Sequence, residues 1–331
     1  MPNLVSIIIP CLNEEKHIGY VIDAIANQTF PKSSLEVLIS DGGSLDNTIN
    51  IIQSKQAEFP DLAIKIIDNP KRIIPAALNQ AIRASQGEII VRMDAHAIPD
   101  ENYVNYCVEN LSAQIAENIG GLWLIQAGDS GWIAKSIAFA ASHPFGVGDA
   151  KYRYSNKPAF VDTVPFGAFN RGLFDQIGLY DENLLANEDY EFNMRIKQNG
   201  GKIYFDPRIR TKYFARATIS ALAKQYWRYG FWKFQMLKKF PKTIRFRQAI
   251  PPIFVFGLLL IFVLSFFLNW MFTIFAALII LYLMILIIGI MPLYRKEKDL
   301  RLFIGVTVAI VTMHFSWGSG FIASIFKKQR L

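Results

Sequence analysis

The chain has 331 residues, of which 52% are hydrophobic, 14% aromatic and only 19% charged, against about 25% charged in a typical soluble domain. Together with a mean hydropathy of +0.24, this excludes a disordered chain, a collagen-like repeat and an ordinary soluble enzyme running the full length. The net charge of +8 is carried unevenly, and the two cysteines, Cys11 and Cys107, lie too far apart for a C-x-x-C pair, so neither a zinc site nor a disulfide framework is expected.

The opening MPNLVSIIIP has no basic n-region and no long apolar h-region, so no signal peptide is read and the polar part is expected to stay in the cytoplasm. Over the first hundred residues, apolar runs at 5–9 (VSIII), 37–40 (VLIS), 64–67 (IKII) and 89–93 (IIVRM) alternate with helical patterns near 15–27, 46–58 and 75–85. Asn13, and Ser44 or Asp46, are candidate N-caps, and Pro75 suits a first helical turn. This alternation predicts an α/β fold with a mostly parallel central sheet, in which function gathers beyond the C-terminal strand ends. Three of the four ends carry an aspartate, Asp41, Asp68 and Asp94, and the first reads Pro10-Cys11-Leu12-Asn13-Glu14. Neither G-x-G-x-x-G nor G-x-x-x-x-G-K-[ST] occurs, which argues against a Rossmann dehydrogenase and a P-loop NTPase. A crevice lined with carboxylates suits a ligand with hydroxyls and a phosphate neutralised by a metal ion.

Beyond residue 100 a helix is expected from Pro99-Asp100. Residues 120–170, rich in glycine and aromatics, read as loops around a second small sheet. A helix over 184–199 closes on Asn199-Gly200-Gly201. Between 224 and 247 stand eight cations (Lys224, Arg228, Lys233, Lys238, Lys239, Lys242, Arg245, Arg247) and no acid, interleaved with Tyr226, Trp227, Tyr229, Phe231, Trp232, Phe234 and Phe240. Such a patch suits membrane lipids or nucleic acid; it abuts an apolar span, so lipids are expected and nucleic acid is not.

The 43 residues of 250–292 contain no Asp, Glu, Lys, Arg or His, and among the 25 of 302–326 His314 is the only ionisable side chain. A crossing helix needs about 20 apolar residues, so two or three spans are expected. With 250–268 leading outward and 270–292 returning, Arg295, Lys296, Lys298 and Arg301 lie inside, as the positive-inside rule requires. If 302–326 crosses, Lys327, Lys328 and Arg330 end outside. If it re-enters at a Gly318-Ser319-Gly320 break, they stay inside, and the sequence leaves the two open. His314 either contacts a lipid diphosphate or bonds a neighbouring helix. The expected layout is a catalytic domain over 1–223, interfacial helices over 224–249 and a membrane region over 250–331.

The segments VSIIIPCLNEEKHI, ISDGGSLDNT, VRMDAH, ANEDYEFNMRIKQNG and QYWRYG resemble, in type and order, glycosyltransferase family 2, whose fold is GT-A. NPKRIIPAALNQAI and HFSWGSGF are similar to membrane-attached members of the succinoglycan-synthesis type. The resemblance implies an inverting transferase that moves a sugar from a nucleotide-sugar donor, UDP-sugars being favoured, to a polyprenyl-diphosphate-linked acceptor at the inner or plasma membrane. It implies that Asp41 binds the nucleobase, with Pro10, Asn13, Glu14 and Asp68 lining the same pocket, and Lys71 and Arg72 reaching phosphate. Asp94 and His96 match the family's D-x-D metal site, with His in place of the last Asp. Residues i and i+2 of an extended segment share a face, and imidazole suits Mn²⁺ better than Mg²⁺. Asp189 corresponds to the general base and Glu188 to its orienting partner, at a helix start whose dipole and burial act oppositely on the acid. Gln225, Trp227 and Arg228 resemble a Q-x-x-R-W motif for acceptor and diphosphate, and Tyr229 in place of Trp suggests single addition rather than polymerisation. Each motif also has a plainer reading: D-G-G-S as a turn, D-A-H as a capped turn, the acid pair as a helix start, and Arg228 as a side chain snorkelling to headgroups. An inactive assembly subunit and a transporter are the rival functions. The oligomeric state, single copy or homo-oligomer, stays open.

Overall fold

The protein was analysed as a computed structural model that describes residues 4–241 and 244–327, the Arg247 side chain excepted; Lys242, Lys328 and Arg330 fall outside them. The chain forms two compact units, one comprising residues up to Leu124 and Lys151–Tyr213, the other Ile125–Ala150 and the chain from Phe214 onward.

In the first unit, β1 (Val5–Cys11), β2 (Leu35–Asp41), β3 (Ala63–Asp68) and β4 (Ile89–Arg92) alternate with α1 (Ile18–Ala26), α2 (Thr48–Glu58) and α3 (Ile74–Ala84). β1, β2 and β4 are buried almost throughout, whereas β3 alternates with exposed residues. This is the pattern expected when β3 is the edge strand of a parallel set. The order β3-β2-β1-β4 is parallel throughout, with Cys11 opposite Asp41, Asp41 opposite Asp68, and Ile8 opposite Arg92.

The remaining strands correct the expectation of a second small sheet. β5 (Ala97–Pro99), β6 (Asn118–Gln126), β7 (Ala159–Phe160), β8 (Ala168–Asn170) and β9 (Ile203–Phe214) extend the same sheet in the order β4-β8-β6-β9-β5, with β7 on β9. Here β8 runs antiparallel to both β4 and β6, and β9 runs antiparallel to β5 and β7. Helix α4 (Tyr103–Ser112) starts a few residues after Pro99-Asp100. Against the sheet pack α3, α7 (Gly172–Ile177) and α8 (Glu188–Gln198), joining Ile8, Leu38 and Ile90 to Leu78, Phe174 and Phe192 in one core. Each such aliphatic or aromatic side chain contributes about 1.5–3 kcal/mol of burial.

One expected cap and one expected helix start differ. Asn13 does not cap α1; it adopts a left-handed φ of 55° and accepts a hydrogen bond from Leu45 N–H through its side chain. α8 begins at Glu188 rather than 184, after a left-handed Asn187 at φ 64°.

The second unit holds α5 (Trp132–Ser142) and the short α6 (Pro144–Val147), then α9 (Ile219–Lys239), α10 (Phe246–Ser265), α11 (Asn269–Glu297) and α12 (Leu300–Phe326). Thr218 caps α9 by accepting from Ala221 N–H, and Asp299 caps α12 by accepting from Arg301 and Leu302 N–H. α10, α11 and α12 are long and apolar enough to cross a membrane. Ile137 and Ala140 of α5, Leu222 of α9, Ile290 of α11, and Ile310 and Met313 of α12 share one core.

Of the two alternatives left open, the one with a break at Gly318-Ser319-Gly320 is not found, since α12 is continuous through it. Those glycines instead admit neighbours: a Cβ on Gly320 would overlap the Trp227 carbonyl of α9, and one on Gly318 would come within 2.6 Å of the Pro251 carbonyl of α10. His314 bonds neighbouring helices. Its Nε2 lies 2.8 Å from the Phe145 carbonyl oxygen and its Nδ1 2.9 Å from the Tyr282 hydroxyl. A carbonyl only accepts, so Nε2 carries the proton and Nδ1 accepts from Tyr282.

Candidate active site

The C-terminal ends of β1, β2 and β4 form one edge, and the loops leaving them are hydrogen-bonded to each other. Gly42 N–H donates to the Cys11 carbonyl and Asn69 N–H to the Asp41 carbonyl, each at 2.8 Å. Asn13 N–H donates to Ser44 Oγ and Glu14 N–H to Thr48 Oγ1, also at 2.8 Å. Pro10 lies opposite Ser40 in the β1–β2 register. Backbone groups that would otherwise be orphaned past the strand ends are thus satisfied, and the floor of the crevice is held in place.

Asp41 sits on that floor, nearly buried, and its carboxylate closes its own D-G-G-S turn. It accepts from Gly43 N–H at 2.8 Å, Ser44 N–H at 2.9 Å and Ser44 Oγ at 2.6 Å. Gly43, at φ 75°, supplies the left-handed conformation the turn demands. A carboxylate offers about four acceptor positions, so the turn leaves capacity for one further donor. Burial, reinforced by the carboxylates of Asp41, Glu14 and Asp46, pushes the Cys11 thiol well above its ordinary range; Cys11 and Cys107 are free and buried.

Asp68 is exposed at the β3 end, next to Asp41 in register. Lys71, expected to reach phosphate, forms an ion pair with Glu182 at 2.6 Å. That contact and a hydrogen bond from Asn79 hold the Glu182 carboxyl below the usual carboxylate range.

Asp94 and His96 follow β4, but not from an extended segment as expected. Residues 94–97 form a turn closed by Ala97 N–H donating to the Asp94 carbonyl at 3.0 Å, so strand periodicity does not set their directions. His96 Nδ1 lies 3.0 Å from Glu14 Oε1, and Glu14 Oε2 lies 3.5 Å from His17 Nδ1. A carboxylate accepts, so His96 Nδ1 carries the proton in that bond, and in the neutral ring Nε2 is the nitrogen with a lone pair. The His96 ring leans on Tyr213, which stacks on Trp123 at 4.0 Å.

The residue that gathers the acids is Arg92, the last of β4 and 2% exposed. Its Nη2 donates to Asp94 Oδ1 at 3.3 Å and to Glu188 Oε1 at 2.9 Å, and its Nη1 pairs with Asp189. Burial disfavours the charge, yet Asp94 and Glu188 outweigh it and raise the guanidinium's pKa further above its ordinary value. Glu188 and Asp189 open α8, where the helix dipole favours negative charge; the Glu188 side chain is 8% exposed and that of Asp189 26%. Asp189 is therefore the one of the pair open to a ligand. Asp41 lies two strands from β4 across the same edge, about 10 Å at the usual strand spacing. Arg92 was not singled out in the sequence, although a charge closing a buried apolar strand was the available signal; neither was His17.

Gln225, Trp227 and Arg228 belong to α9, in the second unit. Gln225 Nε2 donates to the Tyr229 hydroxyl at 2.9 Å, and residues 225, 228 and 229 share a helix face. Trp227 turns away from that face and stacks on Phe231 at 5.3 Å, so the three expected acceptor residues do not converge.

Against known proteins, a family model described as "Glycosyl transferase family 2" matches residues 6–178. A dolichyl N-acetyl-alpha-D-glucosaminyl phosphate 3-beta-D-2,3-diacetamido-2,3-dideoxy-beta-D-glucuronosyltransferase of Methanococcus voltae is 29% identical over 332 residues, covering 98% of each chain. The succinoglycan biosynthesis protein ExoA of Rhizobium meliloti is 30% identical over 325 residues, covering 95% of this chain and 93% of the relative. Among solved structures, a mannosyltransferase from Pyrobaculum calidifontis in complex with GDP-Man and Mn²⁺ superposes with a TM-score of 0.64 at 17% identity. It covers 99% of this chain and 89% of its own, and it shares the fold. With the strand-end loops, the acids on Arg92 and these matches in agreement, the chain belongs to glycosyl transferase family 2.

Proposed function

We propose that this glycosyltransferase is inverting and dependent on a divalent metal, and that it moves a sugar from a nucleotide-sugar donor to a lipid-linked saccharide. The observation that carries the mechanism is the buried Arg92, which ties Asp94 to Glu188 and Asp189. An acid suited to meet the donor's phosphates and an acid suited to take a proton are thereby held at one guanidinium.

Among the described residues no group of three or more His, Cys, Asp or Glu could hold a metal ion alone. Asp94 and His96 offer one oxygen and one imidazole nitrogen. That partial set fits a cation that takes its remaining ligands from substrate phosphates and water. The Glu14–His96 bond fits as well, since metal-bound imidazoles commonly donate their second N–H to a carboxylate. Bound there, the cation would neutralise the diphosphate and ease its departure; imidazole favours Mn²⁺ over Mg²⁺.

The chain's own part is to position and to accept a proton. Asp41 receives one N–H from the base, and the stitched loops hold the nucleotide. Asp189 takes the proton of the acceptor hydroxyl as that oxygen bonds the anomeric carbon. The bond to phosphate breaks on the opposite side, and the nucleoside diphosphate leaves with the electron pair. Glu188 keeps Arg92, and through it Asp189, in place. Holding the reactants in line and neutralising charge supply most of the acceleration. The Methanococcus relative's name specifies a dolichyl-phosphate-linked sugar and the Rhizobium relative's name succinoglycan biosynthesis, which supports a lipid-borne acceptor for a surface polysaccharide.

The test is release of nucleoside diphosphate from UDP-, GDP- and dTDP-sugars by the purified protein with Mn²⁺, with and without EDTA and a polyprenyl-linked acceptor. EDTA and Asp189→Asn should each abolish turnover, while Asp189→Asn still shows a donor-induced thermal shift. Normal turnover by Asp189→Asn would overturn the assignment.

A further inference from the structure

Among the described residues three helices have the length and apolarity to cross a bilayer, yet their surroundings differ. We propose that only α10 and α11 cross. α12 is an interfacial helix lying against the lipid surface on the side where α10 begins and α11 ends, and it returns Lys327 to that side.

Burial separates α12 from the hairpin. From residue 259 to 285, the far half of the α10–α11 pair, no residue is buried, and the buried positions of the pair (Pro252, Leu258, Leu286, Ile290) all lie in the near half. α12 is buried at intervals from Leu302 to Ser324, nearly its whole length. α12 reaches into that stretch as far as Tyr282, at its inner limit, through His314 and Phe315, whereas a third span laid along the whole hairpin would cover positions nearer its tip.

The contacts run the same way. α10 and α11 pair antiparallel, Phe254 against Tyr282 and Phe262 against Phe275. A third span antiparallel to α11 would bring its second half beside the end of α10. Instead Gly318 meets Pro251, and Trp317 Nε1 donates to the Gln248 carbonyl at 3.3 Å, both at the start of α10.

Apart from its contacts with the hairpin, α12 is covered by α5 and by the cationic α9. Its first half lies on α5, with Gly305 against Ser136 and Trp132. Its second half lies on α9: Gly230 admits the Trp317 backbone, Phe234 meets Phe321, and Gln235 Nε2 donates to Ser324 Oγ at 2.7 Å. α9 carries Lys224, Arg228, Lys233, Lys238 and Lys239, and cations are excluded from the bilayer centre. A crossing α12 would have to draw α9 in with it. The other face of α12 shows Leu300, Ile304 and Val308, four residues apart, and near its end Ile325 and Phe326, all exposed. An apolar stripe beside cations suits the headgroup–acyl boundary. Lys327 then lies with Arg295, Lys296, Lys298 and Arg301, as the positive-inside rule asks.

The test introduces one cysteine at a time into the full-length protein with Cys11 and Cys107 replaced by Ala, Phe267→Cys at the hairpin tip and Phe326→Cys at the end of α12. Intact cells are treated with a membrane-impermeant maleimide. Phe267→Cys should label in intact cells, while labelling of Phe326→Cys should be absent there and appear on permeabilisation. In parallel, green fluorescent protein fused after Leu331 should fluoresce and alkaline phosphatase fused there should be inactive. External labelling of Phe326→Cys, an active phosphatase fusion, or a Phe267→Cys that labels only after permeabilisation would each overturn the proposal.

Discussion

Replacing Arg92 by Met keeps a comparable side-chain length and removes the charge that three acids share. Glu188 is the critical partner, because it is nearly buried and forms its ion pair with Arg92. Removing one member of a buried pair costs about 3–5 kcal/mol, most of it the penalty of leaving the other charge uncompensated. For a unit of this size 1 kcal/mol moves the melting temperature by about 2–4 °C, so Arg92→Met should lower it by roughly 6–20 °C. Arg92→Lys, a point charge in place of a fork, should fall between the two. The double variant Arg92→Met/Glu188→Gln should recover part of the loss, since it no longer strands the most buried of the three acids. Thermal unfolding of the four proteins, alongside nucleoside diphosphate release, tests this. An Arg92→Met protein within about 1 kcal/mol of the parent, with unchanged turnover, would refute the role given to Arg92.

Glu14→Gln should raise the Mn²⁺ concentration needed for half-maximal turnover by about 10- to 100-fold, with near-normal turnover at saturating metal, as read from metal titrations. Glu36, inside β2, accepts from Ser6 Oγ at 2.6 Å, from Gln86 N–H and from Lys65 Nζ at 3.2 Å. Burial works against its charge, but these bonds hold its pKa below the ordinary 4.5. Its stabilisation is therefore present above that pH and lost as the pH falls through the lower folded-state value. Glu36→Gln should accordingly be less stable than the parent near neutral pH and lose less on acidification, as followed by urea unfolding against pH. Gly320→Val should force α9 and α12 apart at the Trp227 carbonyl, lowering stability in detergent by about 1–3 kcal/mol, measured by thermal unfolding.

The parallel half of the sheet was legible because each of its units is local. An apolar run, a helical pattern and an acid at the strand end recur within about 30 residues of each other in a βαβ unit. The antiparallel half pairs segments far apart in the chain, such as Ala97 with Tyr213 and Ile90 with Phe169, and short strands of glycine and aromatics carry little periodicity of their own. Asp41, Asp94 and Asp189 could be named from their motifs. Arg92 could not be weighed, because its importance comes from three carboxylates that only folding brings to it. For Asp94 and His96 the residue types were readable but their geometry was not, since strand periodicity gives way to a turn after Met93. Likewise, hydropathy marked 302–326 as apolar without revealing that its neighbours include a cationic helix.

The chain leaves the first unit at Leu124, builds α5 and α6 in the second, and comes back at Lys151. Ending the polypeptide at Tyr213 to obtain a water-soluble enzyme would therefore strip the cover from Ile137, Ala138 and Ala140 and leave a sticky flap in the middle of the product. A secreted or detergent-free version calls for excising the 125–150 loop together with the tail, and any natural shortening of this protein would face the same double cut.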